Sequence, residues 1–239
     1  MKQVYICHDT VTGIFSALYD AWKEARDKEA GIELKGRIQQ RLFCEYKVVT
    51  ETEHKAQVLR QMIKRNMGWN TYWDVYRAVL SDDDGKGEAV FRMMQEARTV
   101  RDSTKIMDHL GSPDVAKVFE LSRRVSNEAH IYKEFIRFRE LENGVLFSEI
   151  SPKNQVLTCI AEHFEDRFPL ENWMIYDKTH ETFLIHRKKE RCRLVCGETL
   201  NKEAVSRISE KEKRYEELWK GFFLGAISIK ERENPKLQQ

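Results

Sequence analysis

The chain has 239 residues, 41% of them hydrophobic and 33% charged, with a formal net charge of only +2. Such a composition fits a soluble protein with a sizeable core, and the balanced charge excludes a globally basic coat for DNA, so a nucleic-acid site has to be a local cluster. No apolar run reaches the roughly 18 residues of a membrane span, the opening MKQVYICHD turns polar too soon for a signal peptide, and five scattered cysteines predict a reducing cytoplasm rather than a disulfide framework.

Val4 and Ile6 predict a first strand. Asp9 or Thr10 then caps a helix carrying Ile14, Leu18, Ala21, Trp22 and Ala25 at helical spacing. Leu42, Cys44, Tyr46 and Val48 alternate as a strand does, and Thr50 with Glu53 has capping-box spacing ahead of Leu59, Met62 and Ile63. Residues 69–130 read as helical throughout, with an aromatic stripe at Trp69, Tyr72, Trp73 and Tyr76 and a break at Ser81-Asp82-Asp83-Asp84-Gly85. Ser112-Pro113 starts a further helix, because proline at the first helical position gives up an amide that has no helical partner anyway.

Two strands joined through Glu142-Asn143-Gly144 follow. A three-residue loop pairs Ile136 with Ile150, Phe138 with Ser148 and Arg137 with Glu149. That register gives one mostly apolar face and one bearing Arg137, Arg139 and Glu149, whereas a two-residue loop mixes both faces. Ser151-Pro152 predicts the next helix, with Leu157, Ile160, Phe164 and Phe168 inward. Strands are expected at 173–177, 182–187 and 191–196, and a long final helix carries Val205 to Ile229 on one face. The expected architecture is α+β: a mixed or antiparallel sheet, a helical middle segment and a long C-terminal helix. It forms a single domain over 1–239, with 69–130 as a candidate helical sub-lobe.

Several features invite chemistry. His8-Asp9 lies where a strand gives way to a helix, a position that can present catalytic groups, although Asp9 can equally be a cap. The three adjacent aspartates lack the alternating oxygens and distal glutamate of a calcium loop. Cys192 and Cys196 share a strand face with Leu194 and read as buried small hydrophobes. With Thr199 following, the three-cysteine cluster pattern is absent, so no metal site is expected. No glycine-rich dinucleotide, phosphate-loop or nucleophile-elbow motif occurs, and no cofactor is expected.

Two basic clusters stand out. Arg123, Arg124, Lys133, Arg137 and Arg139 fall in one helix-to-strand passage with Tyr132, Phe135 and Phe138 interleaved. Lys188 and Lys189 lie in a denser run, His186 to Arg193, near a hairpin. Arginine forks suit phosphate, and aromatic rings can stack on bases. The same charges also fit solvated strand faces offset by Glu128, Glu134, Glu140, Glu142 and Glu149. His130, Glu149, His163 and Asp177 are the titratable candidates for a catalytic pocket, should they converge.

Residues 125–130 (VSNEAH), 135–140 (FIRFRE), 144–146 (GVL), 149–152 (EISP), 163–169 (HFEDRFP) and 173–177 (WMIYD), with Trp219, Phe222-Phe223 and 229–238 (IKERENPKLQ), resemble a bacterial family labelled as DNA metabolism or DNA repair proteins. The resemblance spans nearly the whole chain and is weakest between about 26 and 70. Members are typically encoded beside a radical-SAM protein associated with DNA repair, and some relatives are joined to a uracil-DNA-glycosylase-like domain. It implies a cytoplasmic DNA-repair or DNA-metabolism accessory protein, with DNA and a radical-SAM protein as partners. Two further readings stand beside it: an enzyme acting on a nucleobase or nucleotide, and a purely protein-interaction subunit docking through the stripe from Tyr215 to Ile229.

Overall fold

A computed structural model describes residues 2–38, 42–197 and 200. The fold mixes helix and sheet, as an α+β chain should. The C-terminal helix expected over 205–229, and the docking stripe on it, lie outside the described residues. The chain forms two compact units. The first contains residues 1–131 and 153–156, and the second contains 132–152 and 157–239.

The first unit is built on a parallel sheet that the sequence patterns did not reveal. Its strands β1 (Lys2–Cys7), β2 (Ala30–Leu34) and β3 (Cys44–Val48) lie in the order β2-β1-β3, both neighbours running parallel to β1. The segment AGIEL of β2 is buried at all five positions, so no polar–apolar alternation marks it. Helix α1 (Val11–Ala25) joins β1 to β2, and α2 (Glu53–Val79), kinked at Gly68, follows β3 and packs on α1. Helices α3 (Lys86–Glu96) and α4 (Pro113–Phe135), the latter up to Ile131, complete the unit, with a 3-10 turn at Ser103–Asp108 between them. Tyr5, Ile14, Phe15, Leu18, Ile32, Leu59 and Ile63 are each no more than 2% exposed. Each such side chain contributes about 1.5–3 kcal/mol of burial free energy.

Of the two caps expected, the first falls on one of the two candidates named and the second is displaced. Thr10 caps α1, its hydroxyl accepting from the Gly13 amide at 2.9 Å. Asp9 is spent elsewhere: its Oδ1 accepts from Lys86 Nζ at 2.6 Å. Lys86 is fully buried and also donates to the Ser81 carbonyl at 2.5 Å. At α2 the cap is Thr52, which accepts from the Lys55 amide, not Thr50. The aspartate triplet is ion-paired at the surface. Arg37 bridges Asp82 and Asp84 at 3.1 and 2.7 Å, and Lys117 meets Asp83 at 2.8 Å.

Ser151-Pro152 does not start a helix, because α5 runs from Leu157 to Arg167. The intervening amides are committed to the first unit. Those of Lys153 and Asn154 donate to the Glu128 carboxylate at 2.7 and 2.9 Å, and that of Gln155 donates to the Leu80 carbonyl at 2.9 Å. The Gln155 side chain reaches the Asp9 carbonyl at 3.1 Å. These bonds hold residues 153–155 on the first unit, and the helix begins only after them.

The second unit carries a five-stranded sheet in the order β4-β5-β6-β7-β8: β4 (Arg139–Glu140), β5 (Leu146–Ile150), β6 (Trp173–Asp177), β7 (Thr182–His186) and β8 (Arg193–Cys196). Only β5–β6 is parallel, with α5 as the crossover; the other pairs are antiparallel. The turn before β5 is the three-residue loop. Leu141 donates to the Val145 carbonyl, Arg139 pairs with Phe147, and Gly144 supplies φ +76°. The register is the one that separates apolar from charged faces, although the first strand is only two residues long because α4 runs on to Phe135. Phe138 therefore turns inward and meets Phe164, Phe168 and Trp173 edge-on, with ring centroids 5.4, 5.5 and 6.0 Å away.

Replacing Lys86 with Met strands the Asp9 carboxylate and should cost about 3 kcal/mol. Urea unfolding should show this as a lowered midpoint with an unchanged slope.

Candidate nucleic-acid interface

Among the described residues of the second unit, a dense run of positive charge sits on the β7–β8 hairpin. Between Arg187 and Arg193 there are five cations and one carboxylate. Arg187, Lys188, Lys189 and Arg191 are all exposed, while Arg193 pairs with Glu190 at 3.3 Å. An extended loop of like charges normally spreads to relieve repulsion. This one is fixed through its backbone. The Lys188 amide donates to Asn172 Oδ1 at 2.9 Å, the Lys189 amide to the Pro169 carbonyl at 3.1 Å and the Glu190 amide to the Arg187 carbonyl at 2.8 Å. The Cys192 amide makes a short bond to the Glu165 carboxylate. Lys189 adopts a left-handed φ of +65°, strained for a residue with a side chain and kept in place by these bonds.

The base of the hairpin is packed as firmly. His186, in the basic run by sequence, is 2% exposed and stacks on Trp173 with centroids 5.0 Å apart and planes 15° from parallel. Its Nδ1 lies 2.9 Å from the Glu171 carbonyl and must carry the proton, since a carbonyl only accepts. His186 is therefore a buried anchor at the base of the hairpin and not part of its exposed face.

The other expected phosphate contacts are distributed over both units. Arg123 and Arg124 belong to the first. Arg123 is exposed with its guanidinium 5.8 Å from the Phe119 ring, and Arg124 is ion-paired to Glu120 one helical turn away. Lys133, Arg137 and Arg139 belong to the second, where Arg137 is exposed and Arg139 lies over the Phe147 ring at 5.2 Å. That cation–π contact is worth about 0.5–1 kcal/mol.

The titratable quartet is not brought together within the second unit, and His130 belongs to the first, where it is exposed on α4. Ile150 pairs with Asp177 and Glu149 with Tyr176, so Glu149 and Asp177 point to opposite faces of the sheet. Glu149 is exposed, 3.7 Å from Lys178. Asp177 is 1% exposed and organises the β6–β7 turn, accepting from the Thr179 and His180 amides at 3.0 and 3.1 Å and meeting His180 Nδ1 at 2.7 Å. His163 abuts Phe164, and its Nε2 is buried with no hydrogen-bond partner. Cys196 and Leu194 are exposed on the edge strand β8, not buried as their shared face led one to expect, and all five cysteines are free thiols. Among the described residues no group of His, Cys, Asp and Glu could hold a metal ion.

Glu165 and Cys192 titrate as a linked pair. Burial alone would raise the Glu165 carboxyl, but hydrogen bonds from Cys192 and the charge of Arg191 hold it below its ordinary range. A depressed carboxylate contributes stability above its unfolded pKa, and that contribution disappears as pH falls through the folded value. Glu165→Gln should thus cost about 1 kcal/mol near neutrality and less in acid, read from urea unfolding at several pH values. Burial, and then the neighbouring Glu165 carboxylate, push the Cys192 thiol well up. Iodoacetamide at neutral pH should accordingly label Cys196 ahead of Cys192.

Residues 84–239 match a family model described as a domain of unknown function, DUF4130. None of the curated proteins matches the chain.

Proposed function

We propose that this chain, which belongs to the DUF4130 family of unknown function, is a DNA-metabolism accessory protein that grips nucleic acid through the β7–β8 hairpin. The observation that carries the reading is the backbone-anchored cluster of Arg187, Lys188, Lys189 and Arg191. A polyphosphate is the ligand that most rewards such a cluster. It neutralises several adjacent cations at once, and the release of its condensed counterions drives association. Because the loop is already ordered, little conformational entropy is lost on binding. Arg137, Arg139 and Lys133 extend the basic character of the same unit, and Arg123 and Arg124 provide that of the first.

Free cysteines fit a reducing cytoplasm, and no helix among the described residues is long and apolar enough to cross a membrane. In this reading a radical-SAM protein is the partner that supplies chemistry, and the chain holds the nucleic acid.

Fluorescence anisotropy with single- and double-stranded oligonucleotides across a salt series tests the proposal. Binding should weaken linearly in log–log coordinates. Replacing Arg187, Lys188, Lys189 and Arg191 together with Ala should reduce the slope by about three to four. Absence of binding at about 50 mM salt, or an unchanged slope in the variant, would overturn it.

A further inference from the structure

We propose that the kink of α2 is a stacking platform for the bases of a single-stranded nucleic acid, with Trp69 and Trp73 taking successive bases and Lys64 and Arg65 their phosphates. The platform belongs to the first unit, lies outside the residues matched by the family model, and is independent of the hairpin.

The kink itself assembles it. In an unbroken helix, residues five apart point about 140° away from one another, so Lys64 would not share a face with Trp69. Gly68 breaks α2 with φ +85°, a left-handed value that glycine holds without strain. Across this break Lys64 lies over two rings, its Nζ 4.1 Å from the centroid of Trp69 and 4.2 Å from that of Tyr72. The two ring planes stand 85° apart and form a corner around the ammonium. Tyr72 is 5% exposed and fixes the corner, whereas Trp69 and Trp73 are 61% and 44% exposed. Trp73 leans on Tyr72 and Tyr76, with centroids 5.2 and 5.5 Å away. Exposed indoles braced in this way are positioned before a ligand arrives, so little order is lost on binding.

Charge selects the occupant. Among the described residues, the ammonium of Lys64 meets these rings and no carboxylate. It covers one face of Trp69 and draws electron density from the indole, so the other face disfavours a second cation and favours an electron-rich ring. Arg65 is exposed and makes no ion pair among the described residues. The carboxylates nearby are committed or balanced. Asp74 pairs with Arg77 at 2.8 Å, and Asp102 accepts from the Thr104 amide and hydroxyl. The turn Ser103–Asp108, tied to the kink by the Ser103 hydroxyl on the Asn66 carbonyl at 2.5 Å, sets Lys105 against Asp108. Lys64 and Arg65 remain as the surplus. An apolar protein surface laid here would bury both cations without partners, whereas an aromatic base carrying phosphate satisfies rings and cations together.

Spacing selects an open strand. Trp69 and Trp73 are one helical turn, about 6 Å, apart along the axis. Bases inside a duplex stand about 3.4 Å apart and are covered on both faces, so an unpaired strand is needed to lay two of them on this platform.

Intrinsic fluorescence tests the proposal. A single-stranded oligodeoxyadenylate should quench the tryptophans, and a duplex of equal length should not. Trp69→Ala should weaken single-strand binding about five- to a hundred-fold, and Trp69→Phe, which keeps a ring, should recover most of it. The fourfold alanine variant of the hairpin should still be quenched at saturation, so failure of the hairpin reading leaves this result unchanged. In the unaltered protein, where no folding defect can intervene, an abasic strand keeps the phosphates but lacks the bases and should bind more weakly by a similar factor. Equal quenching by the duplex, unchanged single-strand binding by Trp69→Ala, or an abasic strand that binds as tightly as the adenylate would each overturn the proposal.

Discussion

The first unit depends on one buried cation. Withdrawing an ammonium group from water costs several kcal/mol, and only well-placed oxygens offset it. Lys86 finds them on Asp9 and on the Ser81 carbonyl. Because Asp9 is engaged in this way, the cap of α1 falls to Thr10, and His8 is the residue presented at the end of the central strand. The same aspartate accepts from Gln155, which returns to the unit from far along the chain. One ion pair thereby fixes the end of β1, the start of α3 and the docking of residues 153–156.

The second unit solves a different problem, that of displaying like charges without letting them scatter. Its aromatic cluster of Phe138, Phe164, Phe168 and Trp173 supplies the mass of the core, and His186 extends the stack to the base of the hairpin. From there, backbone amides rather than side chains hold the loop, leaving Arg187, Lys188, Lys189 and Arg191 uncommitted in that anchoring. Rigid backbone with solvated cations is the division of labour that a polyanion site requires.

Much of the second unit was legible in the sequence because its elements are local. The alternation of WMIYD marks β6, and the Asn-Gly turn with the face argument fixes the β4–β5 register. What was hidden was non-local. Strand β2 is buried on both faces and so shows no alternation, and residues 153–155, expected to open a helix, are instead held by hydrogen bonds to Glu128 and Leu80, which lie far away in sequence. His8 could be singled out from its place after a strand. Its partner Glu51 could not, since 43 residues and the whole β2 connection separate them. His186 and Asp177 illustrate the converse error. Both look chemical in sequence, and both serve packing or turn geometry once their surroundings are known.

Residues 153–156 complete the first unit after a stretch of the second has already been traversed. The two units are therefore interleaved along the chain, and no single cleavage yields both intact. On a ribosome, the N-terminal unit is not completed until Gln155 has emerged, by which time β4 and β5, which precede it, are already outside the tunnel. Synthesis order and assembly order differ in this protein: Asp9, among the first residues made, receives its partner Gln155 only after more than half of the chain has followed.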